Sequence, residues 1–176
     1  TKLTGLSPTT YTYGTAVSSL PTYSKTGYTF GGWYTDTNYT TKVTSISATS
    51  TGVKKLYAKM TLTPYTITYY DGSTKITNLT PTSYTYGTGA TLPASYSKTG
   101  YTFDGWYTDK NYTTKVTSIS KTDTGNKTYY AKTTLITYTI TYYDGDTKIT
   151  SLTPTTYVPG LDTELPIYSK PGYTFD

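Results

Sequence analysis

Thr99-Gly-Tyr-Thr-Phe-Asp-Gly-Trp-Tyr-Thr-Asp109 is the densest aromatic run of the chain, and it recurs on either side of itself. An earlier copy reads Thr26-Gly-Tyr-Thr-Phe-Gly-Gly-Trp-Tyr-Thr-Asp36, and a later one begins Pro171-Gly-Tyr-Thr-Phe-Asp176. Trp33 and Trp106 stand 73 residues apart, as do Pro8, Pro81 and Pro154 in succession. The stretches Tyr-Thr-Ile-Thr-Tyr-Tyr-Asp-Gly that open at Tyr65 and Tyr138 keep the same spacing. A fixed period of this length marks a tandem array. The divisions it predicts are a first repeat at 1–64 that lacks its opening strand, a complete second repeat at 65–137, and a truncated third at 138–176.

Inside one unit the pattern alternates with a period of two, which is the pattern of strands. Tyr65, Ile67 and Tyr69 share one face of the opening strand, and an Asp71-Gly72 turn closes it. Tyr28 and Phe30 fall on one face with Thr29 on the other, and Gly31-Gly32 suits a bulge just before Trp33. Tyr11-Thr-Tyr13-Gly14 reads as a short strand ended by glycine. Thr35-Asp-Thr-Asn38 is turn-forming, and Lys42–Ile46 suits either a strand or one short helical turn. In the closing strand Leu56, Ala58 and Met60 lie together, opposite Tyr57 and Lys59. Thr61-Leu-Thr-Pro64 is the only candidate linker before the second repeat, and without a Gly/Ser run it is not a flexible coil. The core motif expected from these patterns comprises Tyr28, Phe30, Trp33, Ala58, Ile67, Tyr101, Phe103, Trp106, Ala131 and Ile140.

Composition narrows the function. Charged residues make up 14% of the chain and 24 tyrosines raise the aromatic share to 16%. Disordered chains are poor in aromatic and β-branched residues, so this one folds, and as β. The net charge of +5 comes from scattered lysines with no arginine, unlike the clustered Lys and Arg of nucleic-acid readers. Nucleic acid is therefore not an expected partner. The absence of Cys and His removes thiol and zinc sites and every His-based triad. The few acids fall mostly in turn sequences, Asp71, Asp109 and Asp144 among them, and read as turn formers. No acid/base pair stands out, so no enzyme is expected, and no catalytic, metal or cofactor-binding residue. For the same reason an intramolecular Lys–Asn bond, which needs a buried acid beside it, is not expected. Asn38, Asn78, Asn111 and Asn126 satisfy the glycosylation pattern, as chance allows in a chain this rich in Thr and Asn.

A unit that opens Tyr65-Thr-Ile-Thr-Tyr-Tyr-Asp-Gly72, passes Leu92-Pro93, reaches Gly100-Tyr-Thr-Phe-x-Gly-Trp-Tyr107 and ends Tyr130-Ala-Lys132 resembles the Listeria–Bacteroides repeat, the B-repeat type found in internalin B. After Tyr-Ala-Lys the chain carries Met60 or Thr133 where the family commonly has Trp. The resemblance implies a mainly β fold of small β-grasp-like α+β units, strung as an extended beads-on-a-string rod on bacterial cell surfaces. The function it implies is a structural stalk or spacer of an extracellular adhesin or fibre, whose partners are the neighbouring repeats. Surplus tyrosines suggest a second reading, an adhesion module for a glycan, a host protein or a cell-wall ligand. An unpaired sheet edge suggests a third, in which like chains join in a fibre by strand addition.

Overall fold

The computed structural model describes residues 1–174, and among them every regular element is a strand, with no helix. Phe175 and Asp176, at the end of the third aromatic stretch, lie outside the described residues. The first repeat contains β1 (Tyr28–Tyr34), β2 (Lys42–Val43) and β3 (Tyr57–Leu62). The second contains β4 (Pro64–Asp71), β5 (Thr74–Ile76), β6 (Ser83–Thr85), β7 (Ala90–Thr91), β8 (Tyr101–Tyr107), β9 (Lys115–Val116), β10 (Ser118–Ile119) and β11 (Lys127–Leu135). The third contains β12 (Tyr138–Thr139), β13 (Tyr142–Asp144), β14 (Thr147–Ile149) and β15 (Thr156–Tyr157). Lys42–Val43, open between strand and helical turn in the sequence, is a strand because Val43 pairs with Trp33.

The chain gathers into two compact units. Unit 1 holds Thr1–Ile67, Thr82–Ala90 and Ser118–Lys127, and unit 2 holds Thr68–Pro81, Thr91–Thr117 and Thr128–Asp176. The first repeat lies wholly in unit 1 and the third wholly in unit 2, while the second contributes to both.

In unit 1 the sheet order is β2-β1-β3, all antiparallel. Trp33 faces Ala58 and Phe30 faces Met60, with a register shift between Phe30 and Gly32. That shift is the expected bulge: Gly32 takes a φ of 118°, which a side chain would strain. The start of β4 pairs with β6, setting Tyr65 opposite Tyr84. Trp33, Ile67, Tyr84 and Ile119 are buried here. Tyr11–Tyr13, expected as a strand, is not one; Tyr13 and Gly14 form a turn. Its counterpart in the second repeat is a strand because β4 supplies a ladder partner, and the first repeat has no such partner strand in this sequence.

In unit 2 the order is β5-β4-β11-β8-β9. Ala131 faces Trp106, and the bulge recurs one period later, at Gly105, with φ 134°. Tyr69, Leu92, Trp106, Tyr129 and Ala131 form its buried core. The third repeat contributes the ladders β12–β15 and β13–β14, the latter closed by the second Asp-Gly turn.

Candidate functional site

A tryptophan seat organises each aromatic stretch. Alternation along β8 turns Trp106 inward, and Pro93 waits with a carbonyl that accepts the indole N–H at 2.8 Å. A buried indole N–H needs such a partner. Around the ring stand Tyr69 at 4.9 Å, Phe103 at 5.1 Å and Tyr96 at 6.1 Å between centroids. Trp33 repeats the arrangement with Pro21 as acceptor at 2.6 Å and Phe30 at 5.4 Å. In the third repeat the residues aligned with that seat, Tyr142, Leu165, Pro166 and Tyr168, line a groove of about 430 Å³.

Tyr69 is fixed at both ends, its ring against Trp106 and its hydroxyl donating to the Pro81 carbonyl at 2.9 Å. Tyr142 donates to Pro154 in the same way, at 2.7 Å. Burial, with a lesser effect from Tyr129, pushes the Tyr69 phenol up to about 12.

Two aspartate devices also repeat. Asp71 accepts from Lys98 Nζ at 2.8 Å and from the Tyr96 hydroxyl at 3.3 Å, tying the Asp-Gly turn to the loop before β8. Asp144 does the same with Lys170 at 2.7 Å and Tyr168 at 3.1 Å. The lysine hydrogen bond holds the Asp144 carboxyl below the usual range. Each lysine also lies over the tyrosine three residues on, Lys98 over Tyr101 at 4.2 Å and Lys170 over Tyr173 at 4.7 Å, and in the first repeat Lys25 stands over Tyr28 at 4.1 Å. The second device is a loop cap. Asp109 accepts from the Asn111 amide at 2.9 Å and from both the amide and hydroxyl of Thr113, and Asp36 repeats this with Asn38 and Thr40. The threonine hydroxyls lower both carboxyl pKa values. Inside these caps Tyr39 and Tyr112 take positive φ, 55° and 56°.

The joint from one repeat to the next is built twice. In unit 1 the turn glycine Gly27 accepts from the Thr63 amide at 2.9 Å, and the Tyr86 side chain fills the place a Gly27 side chain would need. In unit 2 Gly100 accepts from the Ile136 amide at 2.8 Å, and a side chain there would come within 2.6 Å of Val158 Cγ1. The linker is a single residue, Thr63, between β3 and β4.

Of the expected core residues, Trp33, Ile67, Trp106 and Ala131 are buried. Phe30, Ala58, Phe103 and Ile140 are half-buried, the first three against their tryptophans by ring contact or pairing. Tyr28 and Tyr101 are half-buried beneath Lys25 and Lys98 and not in the ring clusters. Tyr69, Tyr84, Leu92, Ile119 and Tyr129 are buried although the motif did not include them. Leu92 precedes the proline that accepts from Trp106, and Tyr69 shares the strand face of Ile67, so the signal was present for both. Among the described residues no group of three His, Cys, Asp or Glu is placed to hold a metal ion.

These features define a class: an all-β tandem repeat in which a hairpin tryptophan docks on a proline carbonyl and a turn glycine receives the following repeat. The family model for the Listeria-Bacteroides repeat domain matches residues 2–59 and 65–132, and the chain belongs to that family. Repeats of this family are typical of bacterial surface proteins. No curated protein and no solved structure matches the chain.

Proposed function

We propose that the chain is a spacer on the outside of a bacterium, a stalk of an adhesin or fibre that holds other domains away from the cell. On this reading the repeats are β-grasp-like modules reduced to strands and tight loops, strung as a semi-rigid rod. Their work is mechanical, with neighbouring repeats as partners and no turnover of substrate. The observation that carries the reading is the joint built at both Gly27 and Gly100. A glycine at positive φ, a backbone hydrogen bond and a packed side chain leave little freedom to links as short as Thr63 in the first joint and Ile136-Thr137 in the second.

Gly100→Val tests it. Val158 and a φ of 76° both oppose a β-branched side chain at that position. The expected result in small-angle scattering of the full chain is a broader distance distribution than wild type, with near-native circular dichroism. An unchanged distribution in a folded Gly100→Val chain would remove the joint as the source of stiffness. A wild-type profile of one compact globule would remove the spacer reading itself.

A further inference from the structure

The sheet face opposite the tryptophans carries a second recurring arrangement that the spacer reading does not use. Trp33 points inward, so its neighbour Tyr34 points outward. There its ring meets that of Tyr39 edge to face, at 5.5 Å and 76°. Lys59 Nζ stands 5.6 Å from the first ring and 5.9 Å from the second. The stem of Lys42 lies over Gly32, where a side chain would displace it. In unit 2, Tyr107 and Tyr112 meet at 5.5 Å and 75°, Lys132 stands 5.6 Å from Tyr107, and Lys115 lies over Gly105. Tyr130, paired with Tyr107 across the ladder, extends this row to Tyr70 at 5.7 Å, with Lys110 at 5.9 Å from Tyr130.

Two details separate this face from an ordinary solvated one. Tyr39 and Tyr112 sit in the left-handed region, which a bulky side chain enters at a cost and which the neighbouring Asn38 or Asn111 would enter more easily. Asp36 and Asp109 hold the backbone there by bonding the loop amides, and the result is a ring set against Tyr34 or Tyr107. Tyr39 nevertheless remains 39% exposed. The second detail is charge. Ion pairs among the described residues engage Lys98, Lys127 and Lys170, and none engages Lys42, Lys59, Lys110, Lys115 or Lys132. The lysines balance between the copies, Lys55 standing 5.6 Å from Tyr57 as Lys110 stands beside Tyr130, but the second copy carries one more carboxylate: Asp104, bonded by the Thr134 hydroxyl at 2.6 Å, stands where the first repeat has Gly31.

From this we infer that the tyrosine–lysine face binds an acidic polysaccharide, a polymer of uronic acid sugars. The C–H face of a pyranose ring packs on the phenols, and its carboxylate meets the lysine ammonium beside them. A polymer suits a face that recurs, because its repeating sugars present the same ring and carboxylate to each copy. The first repeat, without a carboxylate at the Asp104 position, binds the more tightly of the two. Single-stranded nucleic acid fits less well: the lysines stand singly beside the rings and the chain has no arginine for bidentate contacts to phosphate or base edges.

The test is affinity electrophoresis of the full chain through gels containing polygalacturonate or hyaluronan. Dextran, polyglutamate and oligo(dT) serve as comparators. The expected result is retardation by at least one uronate polymer, with an apparent affinity at least about tenfold above that for any comparator. Lys59→Gln weakens it, and the pair Tyr39→Asn and Tyr112→Asn abolishes it with the tryptophan fluorescence unchanged, since Asn accepts the same backbone angles. Equal retardation by polyglutamate would reduce the face to nonspecific charge, and equal retardation by dextran would remove the role of the lysines. Equal retardation by oligo(dT), no response to either uronate polymer, or full binding by the folded double Asn variant would each overturn the assignment.

Discussion

Trp33 and Trp106 occupy the same place in two copies of one hairpin, and their surroundings differ by the opening strand. Both donate to a proline carbonyl, both face an alanine across the ladder, and both follow a glycine bulge. Trp106 also touches Tyr69 on β4 and is 2% exposed; among the described residues Trp33 meets only the ring of Phe30 and is 7% exposed. The hairpin therefore aims the indole, and the opening strand seals it. Aiming is local chemistry within a few residues, while sealing requires a strand distant in sequence.

Removing the rings gives the largest separation between the copies. Trp106→Ala is expected to cost at least about 3 kcal/mol in calorimetric unfolding, and Trp33→Ala at least about 1 kcal/mol less. Equal losses would mean that the opening strand contributes nothing to the seat. Next comes Tyr69, the sealing residue. Tyr69→Phe leaves the Pro81 carbonyl without its phenol and is expected to cost about 1–3 kcal/mol. The same phenol gives an alkaline signature. The folded chain holds this proton more tightly than the unfolded one, where the phenol titrates near 10.0. Its contribution is therefore intact below pH 10 and disappears as pH climbs to about 12. Stability measured across that window should fall in the wild type and fall less in Tyr69→Phe. The smallest effect belongs to the Asp71 clamp, whose aligned position in the first repeat falls before Thr1. Asp71→Asn is expected to cost no more than about 1 kcal/mol, because the lysine is partly solvated. A larger loss would promote the clamp from an adjustment of the turn to a main support of the seat.

How far the sequence reached depends on distance along the chain. The repeat, the inward tryptophan, the bulge at Gly31-Gly32 and the short link within Thr61–Pro64 rest on spacing and local conformation, and these can be read from residue order. The Asp71 clamp could not, because Lys98 and Tyr96 lie 25 or more residues away and an Asp-Gly pair already explains itself as a turn. The aligned Tyr-x-Lys before each Gly-Tyr-Thr-Phe was the available clue. Tyr11–Tyr13 went the other way, since a strand-like pattern forms no strand where no partner strand lies beside it. Tyr86 on Gly27 was out of reach, because sequence does not say which repeat supplies the neighbour of a turn.

The single residue between β3 and β4 has a mechanical consequence. Tension drawn along the backbone would enter the second repeat at Thr63 and leave it at Ile136, through β4 and β11, which are adjacent in the sheet. The pull crosses one ladder of hydrogen bonds and bypasses the indole altogether, so a stretched module would keep its interior closed until that ladder gives way.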